Sequence, residues 1–150
     1  MVEKETISKF MLQEHGKILV LLNEFKTKSN DKNANEYFQK LKWKQDNHIL
    51  AEEKAILILM QDNEKMKKVI LEILIEHNQL REIMDKIKEK LNRNTDHYEE
   101  NINALLKLMK AHIQFEDINF YPRLDKELLP KEKALIMSKF QEIILGHISI

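Results

Sequence analysis

The chain has 150 residues, 43% of them hydrophobic, and its 25 basic and 25 acidic side chains cancel. This length and apolar content predict one compact domain over residues 1–150, and the charge balance argues against nucleic acid or an anionic membrane as a partner. Cysteine is absent, which excludes disulfides, iron–sulfur clusters and thiolate zinc sites. The charged N-terminal segment lacks a signal-peptide core, so a cytoplasmic protein is expected.

Apolar residues recur with a helical period, and only two glycines and two prolines interrupt them. In chain order, the apolar stripes predict four long helices and a short one, over residues 7–25, 37–59, 66–91, 98–120 and 131–145. Because the intervening connections are short, sequential long helices should run antiparallel. The predicted fold is all-α, an up-and-down antiparallel four-helix bundle with a short C-terminal fifth helix.

Capping and breaking residues support these boundaries. Asn94 or Thr95 is expected to cap the fourth helix, and Pro122 should end or kink it. Pro130 suits the first turn of the fifth helix, and Gly146 is expected to stop that helix. A loop is expected over residues 26–35.

Each long helix carries one histidine on its apolar stripe, namely His15, His48, His77 and His112. At a rise of about 1.5 Å per residue, the two histidines flanking each connection lie at similar distances from it. In an antiparallel bundle, the four rings should therefore meet in one layer of the core. A lone histidine on an apolar face is usually a hydrogen-bonded core residue, but four at one depth indicate metal ligands.

Two of these histidines have a glutamate one helical turn later, as His48 with Glu52 and His112 with Glu116. The i,i+4 spacing places both side chains of each pair on one helix face. A bound cation removes the cost of burying such carboxylates. Imidazole with carboxylate suits iron, manganese or zinc, and carboxylates can bridge two ions about 3.5–4 Å apart. The sequence predicts a two-metal site formed by His15, His48, Glu52, His77, His112 and Glu116.

The predicted ligands lie in four ordered segments, EHGKIL, HILAEE, EHNQLRE and HIQFEDINFYP. Together these segments resemble the pattern of the hemerythrin-like domain family, also called HHE cation-binding domains, over nearly the whole chain. The resemblance implies an up-and-down four-helix bundle with a non-haem di-iron centre that interacts with oxygen, nitric oxide or peroxide. Ferritin-like di-iron bundles use glutamate-x-x-histidine pairs instead, and the histidine seams here lack them.

The sequence departs from the oxygen-carrying members of that family at Arg81. Those members have a further histidine one turn after the third-helix histidine, and Arg81 stands at that position after His77. Reversible oxygen carriage is therefore not expected. The open coordination position is expected to take water or a mobile carboxylate such as Glu76.

Two acidic residues directly follow the predicted bridging glutamates. The oxygen carriers have an aspartate five residues after the fourth-helix histidine, and Asp117 has that offset from His112. Asp117 is therefore an alternative to Glu116 as a bridge. Glu53 is turned about 100° from Glu52 around the helix, so a supporting or surface role is predicted.

Three functions are compatible with these residues. The favoured one is a di-iron protein that binds oxygen, nitric oxide or a related small ligand for sensing, storage or protection. The second is an enzyme that reduces peroxide or nitric oxide, or an iron donor in iron–sulfur cluster repair. The third is a metal-free structural or interaction bundle. Two iron ions are the expected cofactor, with zinc or manganese as substitutes.

The remaining histidines and aromatic residues are assigned no functional role. His97 is expected at an exposed helix start, and His147 in an apolar tail that packs on the bundle. Packing is the expected role of four aromatic residues, with pocket lining or electron transfer as the alternative: Tyr37, Trp43, Tyr98 and Tyr121.

Overall fold

A computed structural model describes residues 6–93 and 98–146, and every regular element within these ranges is helical. The predicted all-α class is therefore confirmed. The expected cap residues Asn94 and Thr95, together with His97 and His147, lie outside the described residues. No helix in these ranges is both long and apolar enough to cross a membrane.

Four long helices and three shorter ones make up the described chain. The long helices are α1 (Ile7–Thr27), α2 (Ala34–Glu52), α4 (Lys67–Asn92) and α5 (Glu99–Asn119). The shorter ones are α3 (Ile58–Met60), α6 (Tyr121–Glu127) and α7 (Pro130–Ile144). A π-helical turn at Glu53–Leu57 joins α2 to α3, and a 3₁₀ turn at Glu64–Met66 precedes α4.

The helix ends agree with the sequence signals except at two places: the π-helical turn at Glu53–Leu57 divides the helix predicted over residues 37–59, and a further helix forms near Pro122. Thr6 caps α1 by accepting a hydrogen bond from the Lys9 backbone N–H. Helix α5 ends at Asn119. Pro122 lies in the first turn of α6, where its missing N–H costs no helical hydrogen bond. The interruption at Pro122 is confirmed, but the separate helix α6 was not predicted. Gly146 adopts φ +71° just after α7, which confirms it as the stop.

The four long helices enclose one common core. Contacts join α1 to α2, α2 to α4, α4 to α5 and α5 to α1, while α7 packs on α2 and on the π-helical turn. These contacts are those of a helical bundle. The apolar stripe of each long helix faces inward, because residues spaced by one turn share a face.

The core is divided into two apolar clusters by a polar layer. Met11 and Ile73 belong to the cluster that also includes residues of α6 and α7. Ile18 and Leu80 belong to the second cluster. His15 lies between the two clusters along α1, and His77 occupies the equivalent place on α4. The predicted meeting of the histidines in one layer follows from this arrangement.

Candidate metal centre

The structure brings all six predicted ligands together in the polar layer, and each is buried. They form two overlapping groups, within which one ligand atom from each residue lies within 4.8 Å of the others. Glu52 and Glu116 belong to both groups. The first group adds His15 and His48, and the second adds His77 and His112. Each group thus contains two histidines of its own and the two shared carboxylates.

The inner imidazole nitrogens approach the shared carboxylates at similar distances. From Nε2 to the nearest glutamate oxygen, the distances are 3.2 Å for His15, 3.3 Å for His48, 3.2 Å for His77 and 3.3 Å for His112. Donor atoms that bind one ion at about 2.1 Å lie about 3.0–3.4 Å apart in octahedral or tetrahedral geometry. The spacing therefore fits donors arranged around common ions.

Hydrogen bonding does not account for these inner atoms. Within the described part of the chain, the Nε2 atoms of all four histidines are buried without a hydrogen-bond partner, as are one oxygen of Glu52 and one of Glu116. Each such group costs about 1–3 kcal/mol when it is left unpaired. A cation that accepts these lone pairs would remove the cost. The nitrogen and oxygen donors fit iron, manganese or zinc.

Carboxylates lie behind three of the four rings. The Nδ1 atom is 2.9 Å from Asp117 Oδ1 in His15, 2.8 Å from Glu53 Oε2 in His77 and 2.7 Å from Glu76 Oε1 in His112. A carboxylate on the outer nitrogen fixes the ring orientation and raises the basicity of the inner nitrogen. Such contacts are typical of metal-binding histidines.

The two acidic residues that follow the shared glutamates take supporting positions. Asp117 contacts the outer nitrogen of His15, while Glu116 lies among the inner nitrogens. The geometry favours Glu116 over Asp117 as the shared carboxylate. Glu53 has the supporting position that its angle on the helix predicts, behind His77.

Glu76 and Arg81 lie on the outer side of the cluster. The Glu76 carboxylate hydrogen-bonds with the outer nitrogen of His112, and its entry into an open coordination position stays a prediction. Arg81 is 42% exposed, and its Nη2 lies 3.0 Å from both Glu53 carboxylate oxygens. Arg81 therefore holds the carboxylate that supports His77.

His48 differs from the other three histidines. Its Nδ1 is buried and has no hydrogen-bond partner among residues 6–93 and 98–146. Its ring meets the edge of Phe140 from α7, with 5.3 Å between ring centroids. Glu14 is also buried, but its carboxylate contacts Lys44 at 2.7 Å and Lys17 at 3.0 Å.

Tyr121 is a site residue that the sequence reasoning missed. Its ring is fully buried, its hydroxyl donates a hydrogen bond to Glu52 Oε2, and it lies 3.4 Å from Glu116 Oε1. Packing was its expected role. The signal that could have found it is its position five residues after Glu116, at the start of α6.

Without bound metal, the buried carboxylates favour the protonated form of neighbouring imidazoles. Burial lowers the pKa of His15, but Asp117 and Glu116 outweigh it and raise the pKa to about 9. Burial also lowers the pKa of His77 and His112, but neighbouring carboxylates outweigh it and raise the pKa to about 9 for His77 and about 10 for His112. Burial dominates at His48, whose pKa is lowered. Cations and protons therefore compete for the inner nitrogens.

The hemerythrin HHE cation-binding domain model matches residues 6–124. This range includes all six clustered ligands and Tyr121, and it ends within α6, so α7 lies beyond it. Searches of curated proteins and of solved structures each gave no match. Because the family match spans most of the sequence and contains the buried histidine and glutamate cluster, the chain belongs to the hemerythrin HHE cation-binding domain family.

Proposed function

We propose that the protein binds two iron ions through His15, His48, Glu52, His77, His112 and Glu116. The observation that carries this proposal is the set of buried inner nitrogens and carboxylate oxygens without hydrogen-bond partners among the described residues. We assign one ion to His15 and His48 and the other to His77 and His112, with both glutamates shared, and the two overlapping groups of donors support this assignment. Zinc or manganese would fit the same donors.

The proposed architecture is an up-and-down antiparallel bundle of α1, α2, α4 and α5, with α7 as the short fifth helix of a single domain. Ring contacts between α1 and α2 support the opposite directions of these helices. His15 pairs with His48, and Phe25, further along α1, pairs with Phe38, which is earlier on α2. On α4 and α5, His77 faces His112 while Lys90 contacts Asn101.

We propose that the di-iron site takes up oxygen, nitric oxide or a related small ligand for sensing, storage or protection. Four imidazoles and two shared carboxylates supply fewer donor bonds than two octahedral ions accept, which leaves positions for a small ligand. When bound, the ions supply redox chemistry and Lewis acidity. Arg81 turns outward to Glu53 and leaves the position of a fifth histidine unfilled. We therefore expect irreversible oxidation in air, without reversible oxygen binding.

Iron donation is the second candidate function, and one observation favours it. His48 is the one predicted ligand whose outer nitrogen lacks a carboxylate contact within the described ranges. An ion with a weaker ligand is easier to transfer. Reduction of peroxide or nitric oxide remains an alternative, which turnover with a reductant would support.

Metal analysis of protein purified without chelators tests the proposal. After anaerobic reconstitution with Fe²⁺ and removal of excess metal, we expect two iron ions per chain, and oxidised protein should give a Mössbauer spectrum of a coupled di-iron centre. Nitric oxide and azide should change its absorption spectrum. Absence of stoichiometric metal after reconstitution with Fe²⁺, Mn²⁺ or Zn²⁺ would contradict the proposal and favour a metal-free bundle.

A further inference from the structure

The α1–α2 and α4–α5 halves of the site repeat the same order of side chains. An acidic residue precedes the first histidine of each half, and a second histidine, a glutamate and another acidic residue follow on the next helix. The corresponding pairs are Glu14 and Glu76, His15 and His77, His48 and His112, Glu52 and Glu116, and Glu53 and Asp117. The halves can therefore be compared position by position.

The outer contacts of the two halves match except at one position. Glu53 supports His77 from the neighbouring half, and its counterpart Asp117 supports His15 in the same crosswise way. Glu76 supports His112, so symmetry would place Glu14 on the outer nitrogen of His48. The carboxylate of Glu14 is directed elsewhere.

Two lysines hold Glu14. Lys44 contacts Glu14 Oε2 at 2.7 Å and Lys17 contacts Oε1 at 3.0 Å, so both carboxylate oxygens are engaged. Lys44 is only 17% exposed, which limits the screening of this ion pair by solvent. The residues at the corresponding positions of the other half are Gln79 and Leu108, neither of which can form such an ion pair.

Lys44 lies one helical turn before His48, so the two side chains share a face of α2. A carboxylate released from Lys44 would need to move by about one turn, roughly 5–6 Å, to reach His48. Glu14 directly precedes His15 on α1, just as Glu76 directly precedes His77 on α4. Lys44 and Lys17 therefore account for the broken symmetry.

We propose that this asymmetry makes the ion at His15 and His48 the exchangeable one, and that the Lys44–Glu14 pair sets its lability. The inference rests on the proposed two-ion site. Carboxylate support on the outer nitrogen of a metal-binding histidine typically changes metal affinity by about 10–100-fold. The position formed by His77 and His112 has this support on both rings, whereas among the described residues the other position has it only on His15. The protein would give up one Fe²⁺ to a chelating acceptor while retaining the second.

Chelator competition tests the inference. Protein loaded anaerobically with two equivalents of Fe²⁺ is mixed with excess ferrozine, and formation of the coloured complex is followed with time. We expect two phases of one ion each, with rates that differ by about 10–100-fold. Crystals soaked in the chelator until one ion is lost should retain anomalous scattering at His77 and His112. Loss from both positions in one phase, or retention at His15 and His48, would overturn the inference.

Two variants identify the residues responsible. Lys44→Met should free Glu14 for His48 and slow the fast phase towards the slow one, because the remaining partner, Lys17, is 63% exposed and solvent screens its ion pair. Glu76→Gln should accelerate the slow phase by about 10–100-fold, and if Lys44→Met does not fold, it still tests whether a carboxylate on the outer nitrogen sets the release rate. Lys42→Met is the matched control, because Lys42 lies on the same helix and pairs with Asp46. A fast phase unchanged in folded Lys44→Met, or a slow phase unchanged in Glu76→Gln, would contradict the inference. Failure to load any metal would instead contradict the proposed function.

Discussion

The two halves of the buried cluster share a ligand pattern but differ in what surrounds it. In the α4–α5 half, both histidines have a carboxylate on the outer nitrogen. In the α1–α2 half, His15 has such a carboxylate, but the ring of His48 packs against Phe140. The corresponding acidic residue, Glu14, forms an ion pair with Lys44. The two halves thus share the same inner side chains and differ in the side chains around them. Helix α7, which supplies Phe140, lies beyond the family match.

The largest effect should come from residues that both halves share. Replacing Glu116 with alanine removes a donor from both groups, so we expect loss of both ions under conditions where the unmodified protein retains two. His15→Ala and His77→Ala each remove a donor from one group and should weaken one position. Metal content after gel filtration measures this difference.

Asp117→Asn is the matched control for Glu116→Ala, because Asp117 is the adjacent acidic residue and contacts the outer nitrogen of His15. This variant should bind both ions, although the ion near His15 should leave faster. Retention of two tightly bound ions by Glu116→Ala would refute the sharing of Glu116. Loss of both ions from Asp117→Asn would point to Asp117 as the bridge.

Helical periodicity predicted which histidine and glutamate side chains meet in the buried cluster, because a 3.6-residue repeat fixes the angle of each Cβ around its helix. That angle is enough for His48 and Glu52, whose side chains need only point into the core. It does not fix the rotamer of a long acidic side chain, so it could not show that Glu14 turns to Lys44. Tyr121 was missed for a different reason, since its position depends on how the chain resumes after the break near Pro122.

The next largest effect should be a dependence of metal-free stability on pH. Folding raises the pKa of His15 and His77 to about 9 and that of His112 to about 10, from 6.5 in the unfolded chain. Their contribution is fully present below pH 6.5 and is lost as the pH rises through 9–10. For His15 alone it is on the order of 3 kcal/mol. Denaturant unfolding of metal-free protein between pH 6.5 and 10 should show this loss.

Single substitutions connect this pH dependence to the comparison of the halves. His112→Gln should reduce the alkaline loss of stability. His48→Gln should leave it intact, because burial lowers the pKa of His48 and its contribution is lost only as the pH falls through the acid range. Bound metal should suppress the alkaline loss, since the ion replaces the protons. Equal stability of metal-free protein at pH 6.5 and pH 10 would contradict the assignment of protonated imidazoles.

A smaller effect is expected from Tyr121→Phe, which removes one hydroxyl from the interface of the two halves. Glu52 would lose a buried hydrogen bond, and bonds to charged groups contribute about 1.5–3 kcal/mol. We expect a loss of that size in the unfolding free energy of metal-free protein, with both ions still bound after loading. Tyr37→Phe is the control, because Tyr37 lies in α2 with its ring beneath Lys40. Loss of metal from Tyr121→Phe would instead make the hydroxyl part of the binding site.

The smallest effect should come from Arg81→Met, which alters the support of His77 indirectly, through Glu53. Arg81 contacts Glu53, and Glu53 contacts the outer nitrogen of His77. Because the guanidinium is 42% exposed, solvent screens the pair, and such pairs contribute about 0.2–1 kcal/mol. The slower of the two metal-release phases should therefore accelerate by less than about fivefold. Glu53→Gln acts on His77 directly and should accelerate that phase by about 10–100-fold. Equal acceleration by the two substitutions would show that Glu53 supports His77 only while Arg81 holds it, and the α4–α5 half would then depend on a lone surface ion pair.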